Sequence, residues 1–307
     1  MTVAWIAGNV RAAALLDRRV GSRRAREMAT SSSLDRVLHA LADGPYQREV
    51  RPGQDLAQAQ HGIAAALLWH LRVLAGWQPR AGSEALRVLA GWFEAANVCE
   101  HARALAGLRA EEPYRLGALS LAWHRLAATT STAELRSTLA DSPWGDPGAG
   151  TPEAIAVAVW LGWADRVRSA VPAAAAWAAG GAALLVARHR FLDDAPLSEP
   201  AGRRAARVLG ASAVAARSLG EFTTRLPTRA RWSMSGVETV ADLWTAEARW
   251  WTHVERDAQR LRRTPRFDPS AVIGVVALLA VDARRLRAAL ELAAHGGEPL
   301  EAYDAVV

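Results

Sequence analysis

The sequence predicts an all-α protein, and three observations carry the prediction. Apolar residues recur at three- and four-residue spacing through most of the chain, as in Leu86, Leu89, Ala90, Phe93, Ala96 and Val98, which gathers them on one helical face. Sustained alternation of apolar and polar residues, the mark of a half-buried strand, is hard to find. Helix-start chemistry stands where the apolar pattern resumes: Thr151-Pro152-Glu153 and Asp268-Pro269 each set a capping side chain before a proline at the first helical position.

Breaks between helices fall where Gly, Pro and Asp cluster: Gly44-Pro45, Arg51 to Gly53, Gln78 to Gly82, Asp141 to Thr151, Asp193 to Pro200, Leu226-Pro227 and Thr264 to Pro269. Between the breaks, part of the chain repeats. Leu41-Ala42-Asp43-Gly44-Pro45-Tyr46 returns as Leu139-Ala140-Asp141-Ser142-Pro143-Trp144, each after a helix-start signal, Ser33 with Asp35 and Ser131-Thr132 with Glu134. A third, degraded copy is read at Val237 to Trp244. The stretches around Gly91 to Val98, Gly180 to Leu185 and Ala280 to Leu286 overlay, with Arg103 and Arg190 in equivalent places. These repeats predict three related helical modules with cores near 30–110, 130–195 and 233–297. The chain then divides into 1–112 (an N-terminal helix plus the first module), 113–199 (the second) and 200–307 (a connecting helix plus the third). Amphipathic helices of one such module have too little face to bury alone, so the modules must pack on one another or on a partner. With three of them, closure into a cup or funnel is favoured over a linear solenoid.

Composition bounds the function. The chain has 307 residues, 51% hydrophobic, which suffices for a sizeable core. All 37 basic residues are arginine and the net charge is +6, a mild excess that matches a GC-rich coding sequence better than a nucleic-acid footprint. A single cysteine, Cys99, excludes a disulfide framework and a multi-cysteine zinc site. Beside Glu100 its thiol pKa is expected to rise, which makes it a small apolar residue and not a nucleophile. The arginines near the start follow the apolar stretch and do not precede it, the reverse of a secretory signal. The uncharged run from Ser169 to Ala187 is mostly alanine with Pro172 and two glycines, and reads as a buried, tightly packed helix and not a membrane span.

Reactive motifs are missing. There is no G-x-x-x-x-G-K-[ST] and no H-E-x-x-H, while Glu100-His101 lacks the spacing of a bundle di-metal site. Glu291 with His295 reads as a surface pair near a helix end, and Asp193-Asp194 as a solvated turn. No cofactor, metal or small-molecule substrate is expected. Among the thirteen tryptophans, Trp69, Trp77, Trp92 and Trp177 are expected as core anchors, and Trp244, Trp250 and Trp251 as an exposed protein-binding surface. Arginine groups at 18–19, 23–26, 203–207, 260–266 and 284–287 are expected on solvated faces, where several on one side would suit anionic lipid or an acidic protein.

Several of these stretches resemble a known family. Asp268-Pro269, Val272-Ile273, Leu278 to Ala280, Asp282, Leu286-Arg287 and Gly296 to Leu300 resemble the end of the C subunit of V/A-type rotary ATPases, called subunit d in eukaryotes. Glu94, Asn97-Val98 and Arg103, with Gly107 closing the helix, are similar to that family's acid-x-x-Asn-apolar helix. Trp5, Asn9-Val10-Arg11 and Leu15-Leu16 are similar to its opening aromatic, Arg-Val-Arg and Leu-Leu. The chain departs from the pattern at Trp5 (usually Tyr), at Asn9 (usually Arg), and at Leu184 and Arg285, which take the place of Asn97 in the other two modules.

The resemblance implies three pseudo-symmetric helical modules in a funnel-shaped collar, catalytically silent and peripheral on the cytoplasmic face of a membrane. Such a collar would link the proteolipid ring to the central-stalk subunits and pass torque for ion transport. Acidic lipid headgroups would be a further partner, and no nucleic acid. Trp5, Arg11, Glu94, Asn97, Arg103, Asp282 and Arg287 would be its structural or interface residues. The alternative readings are a stand-alone helical interaction scaffold or a basic nucleic-acid-binding regulator.

Overall fold

A computed structural model describes residues 5–263, 268–297 and 299–307, and among them every regular element is helical. The helices are α1 (Ile6–Asp17), α2 (Ser22–Ala29), α3 (Leu34–Ala42), α4 (Leu56–Ala75), α5 (Arg80–Leu105), α6 (Trp123–Leu126), α7 (Thr132–Ala140) and α8 (Pro152–Ala170). They continue as α9 (Ala175–Ala187), α10 (Glu199–Leu209), α11 (Ala211–Val214), α12 (Leu219–Arg225), α13 (Thr228–Arg231), α14 (Leu243–Arg263), α15 (Ser270–Ala294) and α16 (Leu300–Val306). None is long and apolar enough to cross a membrane.

Capping chemistry sets the starts. Ser33, Ser131 and Ser218 each accept the backbone N–H three residues on, opening α3, α7 and α12. In the latter two, Glu134 and Glu221 reach back to the N–H of Thr130 and Arg217, and these backbone bonds hold both carboxyls below the usual range. Thr151 caps α8 with Pro152 behind it, as the sequence predicts. Pro269 sits one residue outside α15, with Asp268 accepting from Ser270 N–H. At Gly107, φ is +75°, and Leu108 N–H returns to Arg103 O, ending α5 in a Schellman turn that only glycine adopts without strain.

The chain forms two compact units, Met1–Glu84 with Trp251–Val307, and Ala85–Trp250, so each boundary falls inside a long helix, α5 or α14. In the first unit α15 packs against α1, α2, α3 and α4. Its core includes Leu38, Leu41, Ile63, Leu286 and Leu290. The last helix α16 closes over this core through buried Tyr303, and Asp304 accepts both Nε and Nη2 of Arg26 at 2.8 and 2.7 Å. In the second unit α8 packs on α9 and α10, and α9 on α13. There Ala95 and Val98 of α5 meet Leu126, Leu135, Leu139, Trp144 and Ile155.

Several sequence expectations need correction. The run from Ser169 to Ala187 is not one helix: α8 ends at Ala170, Pro172 opens a 3₁₀ turn, and α9 follows. The connecting helix stops at Gly210, where φ is +86°, and α11 and α12 fill the remainder. Of the expected tryptophan anchors, Trp177 is buried but Trp77 is 53% exposed, because it lies beyond the end of α4 in a turn. Trp244 is exposed, yet Trp250 donates its indole N–H to Trp177 O, so the three-tryptophan surface is not a continuous patch.

Close helix approach depends on small residues. A Cβ on Gly274 of α15 would stand 2.6 Å from Ala258 O of α14, inside any real contact distance. Gly274→Ala is therefore expected to destabilise the protein by about 1–3 kcal/mol, measured by urea denaturation. Gly202→Ala on α10, where nothing lies within 4 Å, is expected to be neutral or to stabilise by about 0.5–1 kcal/mol.

Candidate functional site

The residues singled out on α5 share one task. After α5 the chain runs without regular structure to a 3₁₀ turn at Gly117–Leu119, and its backbone groups need partners that no ladder supplies. Side chains of α5 supply them. Arg103 donates Nε and Nη2 to Arg109 O at 3.2 and 3.1 Å, and Glu100 accepts Glu111 N–H at 3.0 Å. One turn earlier, Asn97 accepts Tyr114 N–H at 2.7 Å and donates to Tyr114 O at 2.9 Å, pairing with that residue as a neighbouring strand would. Glu94 then accepts Leu121 and Ala122 N–H at 2.5 and 2.7 Å. Positions 94, 97, 100 and 103 trace a slow spiral on α5, and the strap 109–122 follows it in the antiparallel sense.

Glu94 takes a third donor, the indole N–H of fully buried Trp144 at 2.9 Å. Asp282 repeats the arrangement in the other unit. It accepts Val20 N–H at 3.2 Å, Gly21 N–H at 2.7 Å and the Tyr46 hydroxyl at 3.0 Å. Each acid thus holds two consecutive backbone N–H groups at the entry to a short helix, α6 or α2, and one aromatic donor. Those aromatics, Trp144 and Tyr46, end the repeated Leu-Ala-Asp-x-Pro-aromatic element. Burial, with Asp282 adding to it, pushes the Tyr46 phenol well above its usual pKa, so it stays a donor.

The third overlaid stretch has no acid and makes a different contact. There Gly180 lets Trp232 and Ser233 approach α9, and Ser233 donates to Gly180 O at 3.3 Å. Arg190 donates to Val214 O at 2.6 Å from a π turn at Arg188–Leu192. Arg285, in the Asn97 position of α15, forms a fork with Glu255 at 2.9 and 2.7 Å.

The remaining predicted residues lie apart from the strap. Trp5 packs against Gly82, and Arg11 lies over the Trp77 ring at 5.9 Å with its Nε buried and unpartnered. Arg287 is exposed on α15, and Glu291 with His295 is a half-exposed pair, as expected. Arg266 of the predicted basic group lies outside the described residues. Arg204 corrects the reading of its group as a solvated face: it is 9% exposed and donates to Trp144 O. Ile6 and Val10 on one face of α1 are exposed, as is Trp77.

The arrangement holds backbone. Among the described residues no three or more His, Cys, Asp and Glu side chains gather as a metal site would need. A cavity of about 470 Å³ is lined by Thr132, Arg136, Ser137 and Asp146 together with Ala133, Ala140 and Gly150. Its two charges answer each other: Arg136 donates to Asp146 at 3.0 Å, and with Gly148 N–H holds that carboxyl low. Burial, aided by Glu100, pushes the Cys99 thiol up to about 12. A scan against protein-family models and a search of curated proteins each returned no match.

Removing Glu94 strands two backbone N–H groups and an indole in the interior. Glu94→Ala is expected to cost about 3–5 kcal/mol, with amide-exchange protection lost at Leu121 and Ala122 by NMR. Ser131→Ala at the nearby exposed cap should cost only about 1 kcal/mol. With its raised pKa, Cys99 is expected to react with iodoacetamide at pH 8.5 on the order of a hundredfold more slowly in the native protein than in urea.

Proposed function

We propose that the chain is the non-catalytic coupling subunit of a V/A-type rotary ATPase, a collar of three helical modules between the proteolipid ring and the central stalk. The observation that carries this reading is the twin clamp, Glu94 with Trp144 and Asp282 with Tyr46. The resemblance rests on those acids, and both are occupied in the same structural task.

The helix order supports it. A short helix, a Ser-capped helix, a turn and two long helices recur as α2–α5, as α6–α9, and as α11–α15 with α13 intervening. The sequence puts the degraded third copy of the Leu-Ala-Asp-x-Pro-aromatic element at Val237 to Trp244; Ser218 caps α12 upstream of it. Within the second unit α5 holds the entry to α6 through Glu94 and α9 packs on α13; within the first, α15 receives α2.

A torque-bearing part needs stiffness and broad contact more than a reactive group. Glycine- and alanine-mediated helix packing provides the first. An obligate interface of about 2,000 Å² or more would provide the second, and exposed Ile6, Val10 and Trp77 of the first unit are available to it.

The tagged chain is expected to co-purify with proteolipid-ring and central-stalk subunits from its native membranes, and to hydrolyse no ATP by itself. Association with neither part, or ATP turnover by the purified chain, would overturn the proposal.

A further inference from the structure

Two arginines of the second unit differ from their neighbours. Arg136, Arg168, Arg188, Arg203, Arg207 and Arg225 each pair with a carboxylate. Arg166 and Arg204 pair with none among the described residues, and Arg204 is buried. Arg166 donates Nη1 to Pro143 O at 2.8 Å and stacks 3.8 Å above the Trp144 ring. Arg204 donates Nη2 to the next carbonyl, Trp144 O, at 2.9 Å. Both guanidinium groups are thereby brought to one turn, Pro143 to Gly145.

Each keeps a nitrogen with nothing to bond. Arg166 Nη2 and Arg204 Nη1 are buried and unpartnered, as is Nε of Arg168, one helical turn from Asp165 on α8. A buried N–H donor without an acceptor is costly, and a cationic one more so. The carboxylates at hand are already engaged. Asp165 holds Arg168 and Arg207, Asp146 holds Arg136, and Glu94 is filled by its three donors. Burial, with the charge of Arg204 adding to it, pulls Arg166 down to about 10 against the opposing pull of Glu94. Arg204 is likewise lowered by burial and by Arg207. Two cationic donors without acceptors therefore lie beside one turn. Its Arg166 side opens to solvent, since the bond to Pro143 is exposed.

We propose that Arg166 and Arg204 form a binding site for a small oxyanion of the phosphate or sulfate type. Planar guanidinium forks match such oxygens, and an anion would satisfy both orphan nitrogens and offset both charges. The inference stands on these contacts alone and does not depend on the rotary-ATPase reading.

The test titrates the full chain with millimolar potassium phosphate against potassium chloride at matched ionic strength, read by thermal unfolding and calorimetry. Phosphate is expected to raise Tm by about 3–6 °C with saturation and to give a one-site heat, and sulfate to act likewise. Arg166→Lys, which keeps the charge but removes the fork, and Arg204→Gln are each expected to weaken phosphate binding by about tenfold or more. Arg203→Gln, on the exposed side of α10, should leave it unchanged. Equal effects of phosphate and chloride on the native chain would overturn the proposal. So would undiminished phosphate affinity in Arg166→Lys, which decides the matter if Arg204→Gln fails to fold.

Discussion

Backbone N–H groups that enter the interior outside a helix must find an acceptor there, and the fold depends on how this chain supplies one. At two entries the acceptor is a buried carboxylate carried by a long helix: Glu94 for Leu121 and Ala122, and Asp282 for Val20 and Gly21. A carboxylate suits the place because it only accepts, and because a helix N-terminus carries partial positive charge. Each acid also takes an aromatic donor from a distant turn, so one side chain fixes three pieces of chain at once. Removing it leaves donors stranded in a medium that cannot solvate them.

From that constraint follows the division of labour between large and small residues. Glycine lets elements approach closely, backbone against backbone at Gly274 and Ala258, and backbone against the Trp232 side chain at Gly180. Tryptophan fills the wider gaps. Trp92, Trp160 and Trp163 meet edge to face at 5.8–6.0 Å, and Trp163 finds Val88 O for its indole N–H. A core built this way is dense and resists deformation.

Electrostatics divides along the same line of burial. Exposed pairs such as Arg80 with Glu84 or Arg23 with Glu27 contribute little, because water screens them. The buried cations are different, since Arg166 and Arg204 give up hydration without gaining a carboxylate. Tyr303 follows the same physics as an acid: burial pushes its phenol up to about 12 under the closing helix α16.

Helical class, breaks and many caps were legible in the sequence because they depend on neighbours within four residues. Ser33, Ser131, Thr151 and Gly107 act on their own local backbone, and proline ends a helix wherever it falls. The repeated Leu-Ala-Asp-x-Pro-aromatic element was visible too, while Glu94 and Asp282 stood out only through the family resemblance. Their partners were not, since 27 and 261 residues separate Glu94 from Leu121 and Asp282 from Gly21. The same limit hid the exposure of Trp77 and the burial of Arg204. Periodicity determines which face of a helix is apolar; which distant backbone group a polar residue on that face will meet is decided only when the helices pack.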